Sequence, residues 1–149
     1  MDNNRTLLMT AFAMMALVMF AACGGDEPIG GGPYPVADLE VVVDHPDRNT
    51  ISYRITCLGD TATITGDVDL DEHAACEALS RPQVQQRLAE GPTDEICTEQ
   101  YGGPDTATIT GTIDETPVDT VVDRTNGCGI SDWDDLLANL LPPAVGVTD

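Results

Sequence analysis

The chain contains no lysine and only two histidines, His45 and His73. Its six basic residues are all arginines, against 26 acidic residues, so the formal net charge is −20. A surface this negative argues against binding to nucleic acid or to anionic lipid head groups, because both attract positive charge. It favours a solvated protein whose partner, if it has one, is basic or neutral.

Residues that would support hydrolytic catalysis are also scarce. A serine or cysteine hydrolase needs a histidine beside its nucleophile, oriented by an acid. His45 precedes a proline in the turn DHPDRN, and His73 lies three residues before Cys76, a cysteine expected in a disulfide. No glycine-rich phosphate loop follows any predicted strand. The sequence therefore does not look like an enzyme, and we expect no cofactor.

Candidate metal sites are incomplete. Residues 67–72, DVDLDE, imitate the start of a calcium loop, but Glu72 stands where the sixth-position glycine belongs and Ala78 where the twelfth-position glutamate belongs. Zinc sites need closely spaced ligand pairs, whereas no two of the four cysteines after Cys23 are closer than 19 residues. We therefore predict no metal site, and a solvated acidic turn at 67–72 before a helix.

The N-terminal residues have the pattern of an export signal. Arg5 precedes an apolar run from Leu7 to Phe20, and two alanines then precede Cys23. A basic start, a short apolar stretch and a small-residue cleavage site predict a secretory signal peptide over residues 1–22. The segment FAAC resembles a bacterial lipobox, in which the cysteine after the cleavage site carries a lipid. The alternative is an ordinary secreted protein with a cysteine near its cleavage site.

The remaining chain divides into a spacer, one domain and a tail. Residues 23–35 comprise the lipidated Cys23 and a linker rich in glycine and proline, which cannot bury a core. Residues 36–141 are long enough for one small domain with one core, and residues 142–149 follow as a tail. We therefore expect an exported protein, either a cell-envelope lipoprotein or an extracellular protein.

Cysteine number favours a disulfide framework. With Cys23 lipidated, four cysteines remain, at positions Cys57, Cys76, Cys97 and Cys128. An even number in a small exported domain predicts two disulfides, for which three pairings can be drawn. Sequential pairing, Cys57–Cys76 and Cys97–Cys128, is the simplest.

Strand patterns dominate the domain. The segment DTATITG occurs at 60–66 and again at 105–111, and each copy alternates threonine with alanine or isoleucine at the period of a strand. The cysteines before the two copies lie at different distances from them, so we predict two similar strands in one sheet and no internal duplication. The other predicted strands are Asp38–Asp44, Thr50–Cys57 and Val118–Asp123.

Two helical regions complete the pattern. The first extends from Glu72 to Glu90, with a break at Pro82. The second begins at Ser131, which has capping-box spacing to Asp134. Its apolar stripe consists of Trp133, Leu136, Leu137 and Leu140. Strands with helices available to cover one face predict an antiparallel α+β fold.

Several segments together resemble the bacterial subtilisin-inhibitor-like family of serine protease inhibitors. They are AACEAL at 74–79, CTEQYGGPDTATITG at 97–111, and VDTVVDRTNGC at 118–128 followed by Ile130 and Trp133-Asp134. The match spans roughly Ile51 to Leu141. The resemblance implies a sheet of about five antiparallel strands with two helices on one face. It also implies the bridges Cys57–Cys76 and Cys97–Cys128.

In that family, the segment after the third framework cysteine enters the protease. Carried over to this chain, Cys97 is P3, Thr98 is P2, Glu99 is P1, Gln100 is P1′ and Tyr101 is P2′. The reactive bond is then Glu99–Gln100. Family members that inhibit subtilisin typically have an apolar or basic P1 residue, so Glu99 directs attention to glutamate-preferring as well as subtilisin-like enzymes.

These observations predict a reversible standard-mechanism inhibitor of a serine endopeptidase, exported and lipid-anchored. The alternatives are a non-inhibitory envelope lipoprotein that keeps the scaffold for a structural or binding role, and a bystander substrate cut after Glu99. The expected partners are the endopeptidase and, through a lipid on Cys23, a membrane. A homodimer is a further candidate, and nucleic acid is not expected.

Overall fold

A computed structural model of the chain describes residues 32–92 and 96–145. The predicted signal peptide, Cys23 and most of the linker lie outside these residues. The described elements are β1 (Tyr34–Asp44), β2 (Ile51–Gly59), β3 (Thr61–Gly66), α1 (Glu72–Leu79), α2 (Pro82–Glu90), β4 (Thr106–Ile113), β5 (Thr116–Asp123), α3 (Gly127–Ser131) and a π-helical turn (Asp132–Leu136). Within the described residues, no helix is long and apolar enough to cross a membrane.

The five strands form one antiparallel sheet in the order β3-β2-β1-β4-β5. The long central strand β1 pairs with β2 along one side and with β4 along the other. Helices α1 and α2 lie between β3 and β4 along the chain. The predicted antiparallel α+β fold is confirmed.

One face of the sheet is buried. Along β1, Leu39 and Val41 are fully buried, whereas the alternating residues Asp38 and Glu40 are exposed. This alternation follows from the period-two geometry of a strand that packs on one face only. The rest of the core comes from the other strands and from the helical segments, including Val84, Leu88, Trp133, Leu137 and Leu140. The described chain has three α-helices and a π-helical turn, where the sequence predicted two helices.

The C-terminal helical segment begins earlier than predicted. Asn126 caps α3, and its Oδ1 accepts a hydrogen bond of 2.9 Å from the backbone N–H of Gly129. Asparagine is a favoured N-cap residue, so the helix begins directly after it. Ser131 therefore lies inside the helical segment, and its Oγ donates to the Asp135 carboxylate at 3.1 Å. The predicted capping box between Ser131 and Asp134 is wrong.

The folded domain extends beyond residues 36–141. Strand β1 begins at Tyr34, so the last two residues of the predicted linker belong to the sheet. The register of β1 shifts between Tyr34 and Ala37, which accommodates Pro35, a residue with no N–H for the ladder. At the other end, the carbonyl of Pro142 accepts from Trp133 Nε1 at 2.9 Å, and Ala144 packs against the core.

Two buried polar side chains connect the helical layer to the sheet. Arg87 of α2 forms an ion pair with Asp132 and donates to Thr120 Oγ1 of β5 at 2.9 Å. Tyr53 of β2 donates through its hydroxyl to the carbonyl of Leu140 at 2.6 Å. Burial raises the pKa of the Tyr53 hydroxyl well above its usual range, because the buried environment disfavours the charged phenolate.

Candidate functional site

Both predicted disulfides are present in the structure. Cys57–Cys76 joins β2 to α1, and both residues are at most 1% exposed. Cys97–Cys128 joins the segment before β4 to α3, and both of its residues are partly exposed. The first bridge is therefore part of the core, whereas the second lies at the surface beside the candidate site. Disulfides of this kind are typical of exported proteins.

The segment that the sequence singled out is a surface loop, here called loop 97–104. It precedes β4 at the end of the sheet where Thr106 pairs with Asp44 on one side and Asp123 on the other. All four of its residues from Thr98 to Tyr101 are exposed, and Tyr101 presents 57% of its surface. The residues that were predicted to contact a protease are therefore accessible and contiguous.

The start of loop 97–104 is fixed to α3. The backbone N–H of Gly127 donates to the carbonyl of Thr98 at 2.9 Å, and the Cys97–Cys128 bridge forms beside this bond. A Cβ on Gly127 would lie 2.1 Å from Thr98 Oγ1, so the two segments are in close contact here. The disulfide and the hydrogen bond together hold the chain immediately before Glu99.

The end of the loop is fixed to the residue that follows β5. The N–H of Gly102 donates to the carbonyl of Arg124 at 2.8 Å, and Arg124 Nε donates to the carbonyl of Gly102 at 3.2 Å. The guanidinium also forms an ion pair with Asp134. Gly102 packs closely on Ile130, since a Cβ on the glycine would lie 2.6 Å from Ile130 Cγ1. Backbone and side-chain contacts therefore hold this end.

Between these two attachments, Glu99, Gln100 and Tyr101 project from the domain. Their side chains form no hydrogen bond or ion pair with any residue in the described ranges. A buried carboxylate almost always needs a partner, so the free exposure of Glu99 excludes a structural role in the core. The arrangement is a short exposed peptide with both ends attached to the folded domain.

The sequence did not identify three residues that shape this site. Ile96, directly before Cys97, is a fully exposed aliphatic side chain. It borders a shallow groove of about 420 Å³ between the loop and α3. Arg124 and Gly127 hold the loop ends, as described above. The two lie in the segment VDRTNGC, which contributed to the family resemblance, but nothing in the sequence pattern assigned either residue to the loop.

The acidic turn at 67–72 is used to begin a helix. Asp71 Oδ1 accepts from the backbone N–H of Ala74 at 2.7 Å and so caps α1. Glu72 Oε1 accepts from the N–H of Ile64 on the edge strand β3 at 3.0 Å. In the part of the chain that the structure describes, no group of three histidine, cysteine or acidic residues is arranged to hold a metal ion.

Comparison with known proteins gives one distant likeness. No protein-family model matches the chain, and no curated protein is significantly similar to it. A chain in the crystal structure of Streptomyces caespitosus sermetstatin in complex with Bacillus licheniformis subtilisin resembles it with a TM-score of 0.40 and 22% identity. The match covers 69% of the present chain and 94% of the other. A likeness at this level does not establish the activity of the present chain.

Proposed function

We propose that this domain is a reversible, standard-mechanism inhibitor of a serine endopeptidase, and that Glu99–Gln100 is the bond it presents to the enzyme. The observation that carries the proposal is the double attachment of loop 97–104. Thr98 is hydrogen-bonded to Gly127, and Gly102 is hydrogen-bonded to Arg124. The residues between Thr98 and Gly102 are exposed. An enzyme cleft can therefore reach the bond without any rearrangement of the domain.

The attachments make attack on the bond reversible. The catalytic serine Oγ attacks the carbonyl carbon of Glu99, and the amine of Gln100 leaves with a proton supplied by the enzyme's general base. Because Gly102 remains bonded to the domain, this amine stays beside the acyl-enzyme. When the amine attacks the acyl carbon, the peptide bond reforms, and the serine oxygen leaves with its proton restored. The cleaved and intact forms thus interconvert while the enzyme stays occupied.

Preorganisation provides the affinity. An extended peptide binds a protease by pairing its backbone with the enzyme as an added strand. A free peptide loses backbone conformational entropy on ordering, at about 1–2 kcal/mol for each residue that is fixed. In this domain the disulfide Cys97–Cys128 and the two backbone hydrogen bonds restrict the loop before binding. Much of that entropic cost is therefore met when the domain folds.

Glu99 determines the class of enzyme in this proposal. Its carboxylate is free to enter the S1 pocket, the contact that sets specificity in serine proteases. An apolar pocket would desolvate the carboxylate without pairing it, whereas a pocket with basic or hydroxyl donors would bind it. A glutamate-preferring endopeptidase is the better match. The exposed side chain of Ile96 adds an apolar contact on the acyl side of the bond.

Titration of two enzymes with the mature domain tests the proposal. We expect a glutamate-specific serine endopeptidase to lose activity stoichiometrically, and subtilisin to be inhibited more weakly. Intact domain should be recovered when the complex dissociates. Rapid and complete cleavage after Glu99 would identify a substrate. Failure to bind either enzyme would leave the domain without the proposed function.

The fold also supports presentation from a membrane anchor. Strand β1 has eleven residues and extends about 33 Å at the usual rise of a strand. Its first residue, Tyr34, pairs with Gly59 at the end of the sheet opposite loop 97–104. The hydroxyl of Tyr34 also hydrogen-bonds His73 Nδ1 at 2.8 Å, which fixes where the chain enters the domain. A domain tethered through its N-terminal segment would therefore present the loop away from the membrane.

Replacement of Cys23 by serine tests the anchor. If Cys23 carries a lipid, the variant should leave the membrane fraction or accumulate as unprocessed precursor, because serine has no thiol to modify. Fractionation of cells and metabolic labelling with a fatty acid measure both effects. A Cys23→Ser variant with unchanged processing and distribution would indicate a plainly secreted protein.

A further inference from the structure

Arg124 forms hydrogen bonds with both backbone polar groups of Gly102. Its backbone carbonyl accepts from the N–H of Gly102, and its Nε donates to the carbonyl of Gly102. The residue is only 8% exposed, and Asp134 orients its side chain by an ion pair. Gly102 is therefore attached by a backbone bond that any residue could make at position 124, and by a side-chain bond that needs arginine.

Because of the position of Gly102, the side-chain hydrogen bond from Arg124 affects the proposed reaction. Gly102 is two residues after Gln100, whose amine is released when the Glu99–Gln100 bond is attacked. The Cys97–Cys128 disulfide lies on the acyl side and does not restrict the released amine directly. Retention of the amine thus depends on contacts at Gly102, where Arg124 contributes a charged donor in a buried setting.

We propose that Arg124 is a positioning residue that keeps the Gln100 amine beside the acyl-enzyme, so that religation is faster than hydrolysis. This inference rests on the proposed inhibitory function. Without the guanidinium, the amine moves away more often, and water attacks the acyl carbon in its place. Hydrolysis of the acyl-enzyme frees the catalytic serine and leaves an α-carboxylate on Glu99 as a new chain end. The domain is then a slowly consumed substrate.

The chain contains a matched control for this role. Arg87 is also 8% exposed, and its guanidinium is also paired with an aspartate, Asp132. Its other bonds reach Thr120 and Val121 of β5, and none of its bonds reaches loop 97–104. Arg87→Lys therefore removes a comparable buried network and lowers stability without changing the contacts of Gly102.

The test compares Arg124→Lys, Asp134→Asn and Arg87→Lys with the wild-type mature domain. Lysine keeps the charge but lacks the planar fork that donates to Gly102 and Asp134 together. Each domain is mixed stoichiometrically with a glutamate-specific serine endopeptidase, well below its own unfolding temperature. The return of enzyme activity and cleavage at Glu99–Gln100 are then followed. Hydrogen exchange of the Gly102 amide is measured in the free domain.

We expect activity to return about tenfold faster with Arg124→Lys, the scale of effect that follows loss of one hydrogen bond from a charged donor. Cleaved domain should accumulate in parallel, and the Gly102 amide should exchange faster. Asp134→Asn should change the same quantities in the same direction by less. Arg87→Lys should leave all of them at the wild-type value.

Two failures can be told apart. If wild-type domain inhibits no serine endopeptidase, the proposed function is wrong, and the Gly102 exchange rates alone report whether Arg124 holds the loop. If wild-type domain inhibits but Arg124→Lys forms an equally lasting complex, the role of Arg124 is wrong. Equal acceleration by Arg87→Lys would also overturn it, because general destabilisation would then explain the result.

Discussion

Replacing Glu99 by leucine is expected to reverse the order in which the domain inhibits two serine endopeptidases. The carboxylate must lose its water when it enters the apolar pocket of subtilisin, whereas leucine gains from the same burial. In a glutamate-specific pocket, leucine leaves the pocket's donors unpaired, at about 1–3 kcal/mol. We therefore expect inhibition constants to shift by about tenfold to a hundredfold, in opposite directions for the two enzymes.

Two measurements isolate this effect from changes in folding. Glu99 is exposed and makes no contact that stabilises the described domain, so the free energy of unfolding should change by no more than about 0.5 kcal/mol. Glu77 is an exposed glutamate on α1, and Glu77→Leu should leave both inhibition constants unchanged. A folded Glu99→Leu variant with the wild-type inhibition profile would show that Glu99 does not enter the enzyme.

Removing the Cys97–Cys128 bridge is expected to abolish lasting inhibition while the domain stays folded. The two cysteines are 31 positions apart in sequence, and a cross-link over that distance contributes about 3–4 kcal/mol to the free energy of unfolding. Small domains have roughly 5–15 kcal/mol in total, and the core does not depend on this surface bridge. With Cys97→Ser and Cys128→Ser together, the chain before Glu99 loses its covalent attachment, and we expect the Glu99–Gln100 bond to be hydrolysed.

The buried bridge provides the comparison. Cys57→Ala with Cys76→Ala should also lower the free energy of unfolding by several kcal/mol, because it removes a cross-link and leaves a gap in a fully buried position. Inhibition by the fraction that folds should equal that of the wild type, since Cys57 pairs with Ala37 near the end of the sheet opposite loop 97–104. Denaturant unfolding and the cleavage assay, applied to both double variants, separate the two roles. Equal loss of inhibition in both variants would contradict a specific function for the surface bridge.

The strands could be predicted from sequence because the sheet packs on one face. Burial on one side only imposes a period of two, as in Thr50–Cys57, which lies almost entirely within β2 (Ile51–Gly59). The first residues of β1 were missed, because Pro33 and Pro35 among glycines predict a linker. Only the pairing of Tyr34 with Gly59, a residue distant in sequence, extends the strand back to Tyr34.

For the C-terminal helical segment, too, one part could be predicted from sequence and another could not. Its apolar residues were identified from their spacing as Trp133, Leu136, Leu137 and Leu140. Leu136 is half-buried, and the other three are buried. The residue at which the segment begins could not be predicted, because Asn126 and Ser131 are both favoured N-cap residues, and local sequence does not choose between them. The bridge from Cys128 and the packing of Ile130 on Gly102 place α3 against the loop, and the helix begins at the earlier residue.

For the candidate site, the sequence by itself determined which peptide is exposed and what it contains. The run Thr98–Tyr101 follows a cysteine and contains no aliphatic residue, so it has little reason to be buried, and Glu99 is a carboxylate whatever the fold. Only the tertiary structure decided that Gly127 and Arg124 hold its two ends, since these residues are more than twenty positions away along the chain. Attachments between distant segments depend on three-dimensional packing, which cannot be predicted from local periodicity and residue type.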